Sequence, residues 1–241
     1  MESNHNPYDY VASFARLDDI LGQSDVSYEE TDSLPSRERL TFSNGFYANC
    51  SALFVDIRDS STLPAKYRRP RLARIYRAYI SEVVAVMNAD PKCCEINIVG
   101  DCVWSVIDTP KKVDIDRVFQ SAFEINSLIQ TFNHKLGKRD IDPVRVGIGM
   151  DWGRALMIKA GYSGSGINDV VYMGDVVNRA AKLAAKGSKG PVAQPLMAGA
   201  DFYGNLKVEN QALLHLTLDR ECYQGNVIST VMEAWYKENC T

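Results

Sequence analysis

Apolar positions recur along this chain in two rhythms, and the switches between them outline a fold. From Cys50 to Asp56 the run Cys-Ser-Ala-Leu-Phe-Val-Asp is almost continuously apolar, the pattern of a buried strand. Leu72, Ile75, Tyr76, Tyr79, Ile80, Val83 and Met87 then repeat at three and four, with Arg and Glu on the wet side, which predicts a long amphipathic helix. Residues 94 to 107 read as a hairpin that turns at Gly100-Asp101. A second helix is marked by Ile115, Val118, Phe119, Ala122, Ile125, Ile129, Phe132 and Leu136, and it should close near Gly137 with a C-cap glycine. Val144–Met150 and Ala155–Ile158 read as two strands, followed by a helix over about 174 to 186 and two strands beyond it. The order strand, helix, strand, strand, helix, strand predicts an α+β fold, an α/β sandwich of ferredoxin-like βαββαβ type.

Residues 1 to about 45 depart from this pattern. Val11, Phe14, Leu17, Ile20 and Leu21 share one helical face, and an acidic, Ser-rich stretch runs from Ser24 to Ser36. The expected organisation is therefore a helix and linker over 1–45 and one globular domain over 46–241. A formal charge of −3 argues against a nucleic-acid polymer as partner, because polyanion binding needs a concentrated basic face. The polar N-terminus lacks a signal-peptide layout, and no apolar stretch approaches the ~20 residues of a membrane span, so a soluble, cytoplasmic protein without membrane attachment is expected. The six cysteines lack zinc spacing and include the adjacent Cys93-Cys94, which favours reduced thiols.

Chemistry concentrates at two aspartates. Asp56 ends the apolar run Phe54-Val55-Asp56-Ile57, and Asp101 stands at the reversal of Ile98-Val99-Gly100-Asp101. A carboxylate at the end of a buried strand is costly unless a cation meets it, and two of them on neighbouring strands can hold divalent ions on a polyphosphate. Arg58, Asp59, Ser60 and Ser61, which follow the first aspartate, offer backbone N–H groups and hydroxyls to phosphate oxygens. A single strand-end aspartate more often just caps neighbouring backbone; the pair in matching contexts argues for the metal reading.

Four segments together resemble the class III nucleotidyl cyclases, with similarity over roughly 50–236. Phe-Val-Asp-Ile-Arg at 54–58 and Ile-Val-Gly-Asp at 98–101 are similar to the two metal motifs of that family. Val-Arg-Val-Gly-Ile at 144–148 resembles the strand that brings an arginine to the triphosphate, and Met-Gly-Asp-Val-Val-Asn-Arg-Ala-Ala-Lys-Leu at 173–183 the helix with the transition-state asparagine and basic residue. The resemblance implies attack of a ribose 3′-hydroxyl on the α-phosphorus of a nucleoside triphosphate. It implies that Asp56, Asp101 and the Ile57 carbonyl hold two Mn²⁺ or Mg²⁺ ions, that Arg145 grips the phosphates, that Asn178 orients the ribose and that Lys182 meets charge on the α-phosphate. It further implies a homodimer whose two composite sites take Asp56, Asp101 and Arg145 from one subunit and Asn97, Val171, Asn178 and Lys182 from the other.

Two positions depart from the purine-specific members. Adenylate-forming enzymes have a lysine where Asn97 stands and an aspartate where Val171 stands, and guanylate-forming enzymes place a glutamate at the position of Asn97. A neutral amide with an apolar residue is similar to the Pycsar antiphage cyclases, which make cyclic UMP or cyclic CMP; the likeness leans to the uridylate branch, and no residue separates uracil from cytosine. In that setting UTP is the expected substrate, and a downstream effector is reached through the diffusible cyclic nucleotide. Lys182 replaces the usual arginine, a point charge in place of a planar fork. Cys222–Asn226 stands where the family has a phosphate-binding lysine loop. Diguanylate cyclases share the βαββαβ core but would show Gly-Gly-Asp-Glu-Phe at the hairpin, whereas a degenerate regulatory homologue would lose a metal aspartate; this chain reads Val-Gly-Asp-Cys-Val-Trp and keeps both.

Overall fold

The computed structural model describes residues 3–219 and 221–240. Along the chain run α1 (Tyr10–Leu21), β1 (Tyr28–Glu30), β2 (Gly45–Ile57), α2 (Leu63–Lys66), α3 (Arg69–Asn88), β3 (Cys93–Val99), β4 (Cys102–Asp108), α4 (Lys112–Gly137), β5 (Val146–Tyr162) and β6 (Ile167–Met173). They are followed by α5 (Asp175–Lys186), β7 (Leu196–Ala198), α6 (Ala200–Asn205), α7 (Val208–Gln211), β8 (His215–Leu216), β9 (Tyr223–Gly225) and α8 (Thr230–Asn239). The strands form one sheet ordered β3-β4-β2-β5-β7-β9-β8, with β1 beside β2 and β6 beside β5. The segment β2–α3–β3–β4–α4–β5 is the expected βαββαβ core.

Alternation along the central strands divides the sheet into two faces. Leu53, Val55 and Ile57 of β2, Val103 and Ile107 of β4, and Val146, Ile148 and Met150 of β5 join α3 and α4 in the larger core. Cys50, Ala52 and Phe54, together with Ala155 and Met157, face α5 through Val176, Ala180 and Ala184. The two glycines of Val-Gly-Ile-Gly make that second packing possible. A Cβ at Gly147 would stand 2.0 Å from the Ala184 carbonyl oxygen, and one at Gly149 would stand 2.1 Å from that of Ala180, so α5 lies directly on the backbone of β5.

Several boundaries differ from the sequence expectation. The two strands expected at 144–150 and 155–158 are one 17-residue strand, β5, because the intervening Asp151 is not in a turn: its buried carboxylate takes the Arg179 Nε–H of α5. Consequently β5 reaches far enough to pair with β6, which the hydrophobic pattern did not announce. Gly137 lies in the last turn of α4, and the left-handed residue that follows is Asp140, at φ 53°. Among the described residues three strands, not two, lie beyond α5, interleaved with short helices. The segment after α1 is partly ordered into the sheet: β1 runs parallel to β2, and Leu34 N–H donates to Asp108 Oδ1. All six cysteines are free thiols, and no helix among the described residues is long and apolar enough to cross a membrane.

Candidate active site

Asp56 is the penultimate residue of β2, and Asp101 lies in the tight β3–β4 turn made possible by Gly100 at φ 64°. Because β4 is the immediate neighbour of β2, with Val55 opposite Val103, the turn brings the two carboxylates together. Their surroundings are low in polarity. Tyr79 and Cys102 lie close behind them, and burial and these carboxylates push both of their pKa values up. Burial raises the Asp56 pKa, the Asp101 carboxylate raises it further, and the Arg58 guanidinium opposes both. Asp101 Oδ2 is buried with no hydrogen-bond partner among the described residues. Two crowded carboxylates, one with an orphaned oxygen, are an oxygen-donor set that suits Mg²⁺ or Mn²⁺, which commonly take one or two protein carboxylates and complete their shell with phosphate and water. No group of three or more His, Cys, Asp or Glu side chains converges among the described residues, so the two aspartates and the neighbouring Ile57 carbonyl are the protein donors on offer.

Arg58 has a place that sequence alone did not reveal. Its side chain turns back to the aspartates: Nη2 donates to Asp56 Oδ2 at 2.6 Å, and the side chain is only 12% exposed. Its Nη1 donates to the Ala185 carbonyl at 2.9 Å, tying the C-terminal turn of α5 to the aspartate pair. The Arg58 guanidinium therefore supplies the positive charge that the carboxylates lack.

The turn after β2 continues the site. Arg58 N–H donates to the Arg145 carbonyl at 2.7 Å, which removes it from the set of free backbone donors. Asp59 is left-handed at φ 56°, and Ser60 starts a short 3₁₀ turn with Ser61 exposed in it. Arg145 stands just ahead of β5, not inside it, and is exposed; its guanidinium donates to Asp59 Oδ2 at 3.1 Å and to the Ser188 carbonyl at 3.2 Å. Asp56, Asp101, Arg58, Asp59 and Arg145 thus form one contiguous group.

Asn178 and Lys182 form a second group. One turn apart on α5, both are exposed, and neither side chain makes a hydrogen bond or ion pair among the described residues. The buried residues of that helix, Val176, Ala180, Leu183 and Ala184, turn the pair away from the sheet. Arg179, between them in sequence, is anchored in the other direction by Asp151 and by Asp201 at 3.0 Å.

Asn97 and Val171 lie on opposite wings of the sheet. Asn97 is half-buried on the edge strand β3, opposite Trp104, and Val171 is exposed on β6, opposite Ile158. A hydrogen bond joins the wings: the Tyr172 hydroxyl donates to Glu95 Oε2 at 3.4 Å. Burial raises the Glu95 pKa, with the Asp169 carboxylate adding to it and Arg37 opposing. Glu95 and Tyr172 were not singled out from sequence; the one available signal was an acidic residue inside the apolar run Cys-Cys-Glu-Ile-Asn-Ile-Val.

With this geometry in place, comparison with known proteins is informative. A family model described as the adenylate and guanylate cyclase catalytic domain matches residues 43–196. The chain is 39% identical over 259 aligned positions to a uridylate cyclase of Gulbenkiania mobilis, covering 99% of this chain and 100% of that one. A uridylate cyclase of Treponema porcinum is 38% identical over 207 positions, covering 86% and 72%. Among solved structures, the adenylyl cyclase CyaB from P. aeruginosa shares the fold with a TM-score of 0.62 at 16% identity, over 75% of this chain and 95% of that one.

Proposed function

The chain belongs to the adenylate and guanylate cyclase catalytic-domain family and is a nucleotidyl cyclase, and from that premise we propose that it converts UTP to 3′,5′-cyclic UMP and pyrophosphate with the help of two divalent ions. The observation that carries the chemistry is the Asp56–Asp101 pair, in which one carboxyl has a raised pKa and the other an oxygen without a partner. The choice of base is supported by the two relatives named uridylate cyclase and by the absence of charge at Asn97 and Val171.

In this reading the ribose 3′-oxygen bonds to the α-phosphorus, the bond from that phosphorus to the pyrophosphate oxygen breaks, and the hydroxyl proton passes to solvent water. Bound Mn²⁺ or Mg²⁺ supplies acidification of the hydroxyl and neutralisation of the triphosphate. Asp56, Asp101 and the Ile57 carbonyl would hold the ions, whose charge would take over the role that Arg58 has beside Asp56. Ser60, Ser61 and Arg145 bind phosphate oxygens, with Asp59 keeping the arginine in place beforehand. Asn178 orients the ribose and Lys182 stabilises charge growing on the α-phosphate, worth roughly 10²–10³ in rate for one preorganised donor. Asn97 and Val171 face the base.

The exposed, unpartnered state of Asn178 and Lys182 supports a homodimer in which they complete the aspartate group of the partner subunit. We assign the catalytic domain to residues 46–241 and an N-terminal helix and linker to 1–45, with Tyr28–Glu30 of that linker and Gly45 joining the domain's sheet. The product then acts as a diffusible second messenger of antiphage defence, reaching its effector without a stable protein complex.

Competition among equimolar UTP, CTP, ATP and GTP in the presence of Mn²⁺, with products identified by mass, tests the substrate. Cyclic UMP should dominate. A dominant cyclic AMP or cyclic GMP peak contradicts pyrimidine selection, and a dominant cyclic CMP peak contradicts the uracil assignment.

A further inference from the structure

A sizeable cavity lies away from the site described above, between α3 and α4. It is an open groove of about 640 Å³, within the roughly 300–1,000 Å³ typical of small-molecule sites. Its floor is apolar, formed chiefly by Ile75, Leu136 and Phe132, with the small Ala78 of α3 among the lining residues. Its rim is basic, set by Arg71, Arg74, Lys135 and Arg139.

The charge of this rim is uncompensated. Arg71 spends its guanidinium on the Arg139 and Asp140 carbonyls, and Arg139 donates to the Lys135 carbonyl at 2.9 Å, so these contacts meet dipoles and not carboxylates. Among the described residues none of the four cations forms an ion pair, and the nearby Asp142 is taken by Lys66 at 3.3 Å. The surrounding sequence reinforces the bias: from Lys66 to Arg77 six residues are Lys or Arg and none is Asp or Glu, in a chain whose formal charge is −3. Such a concentration of like charge is self-repulsive unless an anion joins it.

We propose that this groove binds a small amphipathic anion, an apolar body on Ile75, Phe132 and Leu136 with a phosphate-like or carboxylate head among the four cations, and that its occupancy is felt at the catalytic turn. The connection is short. Ile141 lines the groove; the next residue, Asp142, donates its N–H to the Tyr67 hydroxyl at 2.8 Å; Val144 is clamped on both backbone groups by Asn133 of α4; and Arg145 then holds Asp59 and receives the Arg58 N–H. A ligand that moves α4 against α3 acts on this segment directly. That coupling rests on the assigned role of Arg145, whereas binding does not.

The probe is 8-anilinonaphthalene-1-sulfonate, an aromatic body with one anionic head, titrated by fluorescence into the full-length protein and displaced by octyl phosphate. Saturable binding of one dye per chain is expected. Arg74→Glu with Lys135→Glu should weaken it at least about tenfold, and Ala78→Trp, which fills the floor, should abolish it, both variants keeping the wild-type circular dichroism. Octyl phosphate should displace the dye, while octanol and inorganic phosphate at equal concentration should not. Dye binding unchanged in both variants, or displacement by octanol as readily as by octyl phosphate, overturns the site. A cyclisation rate that saturating octyl phosphate leaves unchanged, when it displaces the dye from the same protein, overturns the coupling to Arg145.

Discussion

The aspartate end of the sheet and the exposed face of α5 are opposite in construction. At the first, charges crowd one another: Arg58 sits on Asp56, Arg145 on Asp59, and Asp101, one of whose carboxylate oxygens has no partner among the described residues, stands against Asp56 with Tyr79 close by. At the second, Asn178 and Lys182 stand in solvent, while the same helix buries its other side on glycines. The first region stores electrostatic tension that, in the proposed reaction, a cation and a polyphosphate would relieve. The second is fixed in position by the buried side of its helix, and neither side chain is engaged among the described residues. A reaction that needs both must bring an exposed surface to a strained one.

The largest effect should come from the strained side. Asp56→Ala or Asp101→Ala should leave a folded protein with almost no cyclisation, because metal-dependent stabilisation of the transition state is worth several kcal/mol. Near-normal rates in both variants would erase the distinction between the regions. On the exposed side, Asn178→Ala or Lys182→Ala should lower turnover by about 10²–10³ and leave Mn²⁺ binding largely intact. A loss of metal affinity in either would show that the two regions are one site within a single subunit.

A smaller effect follows from the raised pKa of Asp56. The metal-free folded protein retains this proton to higher pH than the unfolded chain does. Stability from this group therefore falls as pH climbs from the ordinary carboxylate range through the raised value. Asp151, raised chiefly by burial with Arg179 opposing, adds a slope of the same sign. Saturating Mn²⁺ should remove the Asp56 part and raise the melting temperature by several degrees, since a ligand at about 100 times its Kd contributes about 2.7 kcal/mol. Thermal melts from pH 4 to 8 with and without Mn²⁺ measure this; equal slopes in both conditions would mean that no cation is held at the aspartates.

Much of this comparison was legible in the residues. The ends of two apolar runs located Asp56 and Asp101, and the three-and-four spacing after Gly174 placed Asn178 and Lys182 on one helical face. What escaped was set by partners distant in sequence. Asp151-Trp152-Gly153-Arg154 has the composition of a turn, and only the Arg179 side chain, 28 residues on, makes a buried aspartate tolerable within a continuous strand. The grip of the Arg58 side chain on Asp56 and on the Ala185 carbonyl depends on α5 crossing β5 at Gly147 and Gly149, which no local pattern around residue 58 announces. The Glu95–Tyr172 contact likewise needs β6, whose pairing follows from the unbroken length of β5.

The most direct test of a site shared between subunits is to mix two separately inactive proteins, Asp56→Ala and Lys182→Ala, in equal amounts and let them exchange. Each mixed dimer would hold one intact site and one doubly damaged site. Random pairing makes about half of the dimers mixed, so activity should return to roughly a quarter of the wild-type rate per chain. Confirmed exchange, read from an affinity tag on one variant, with no return of activity would contradict the account.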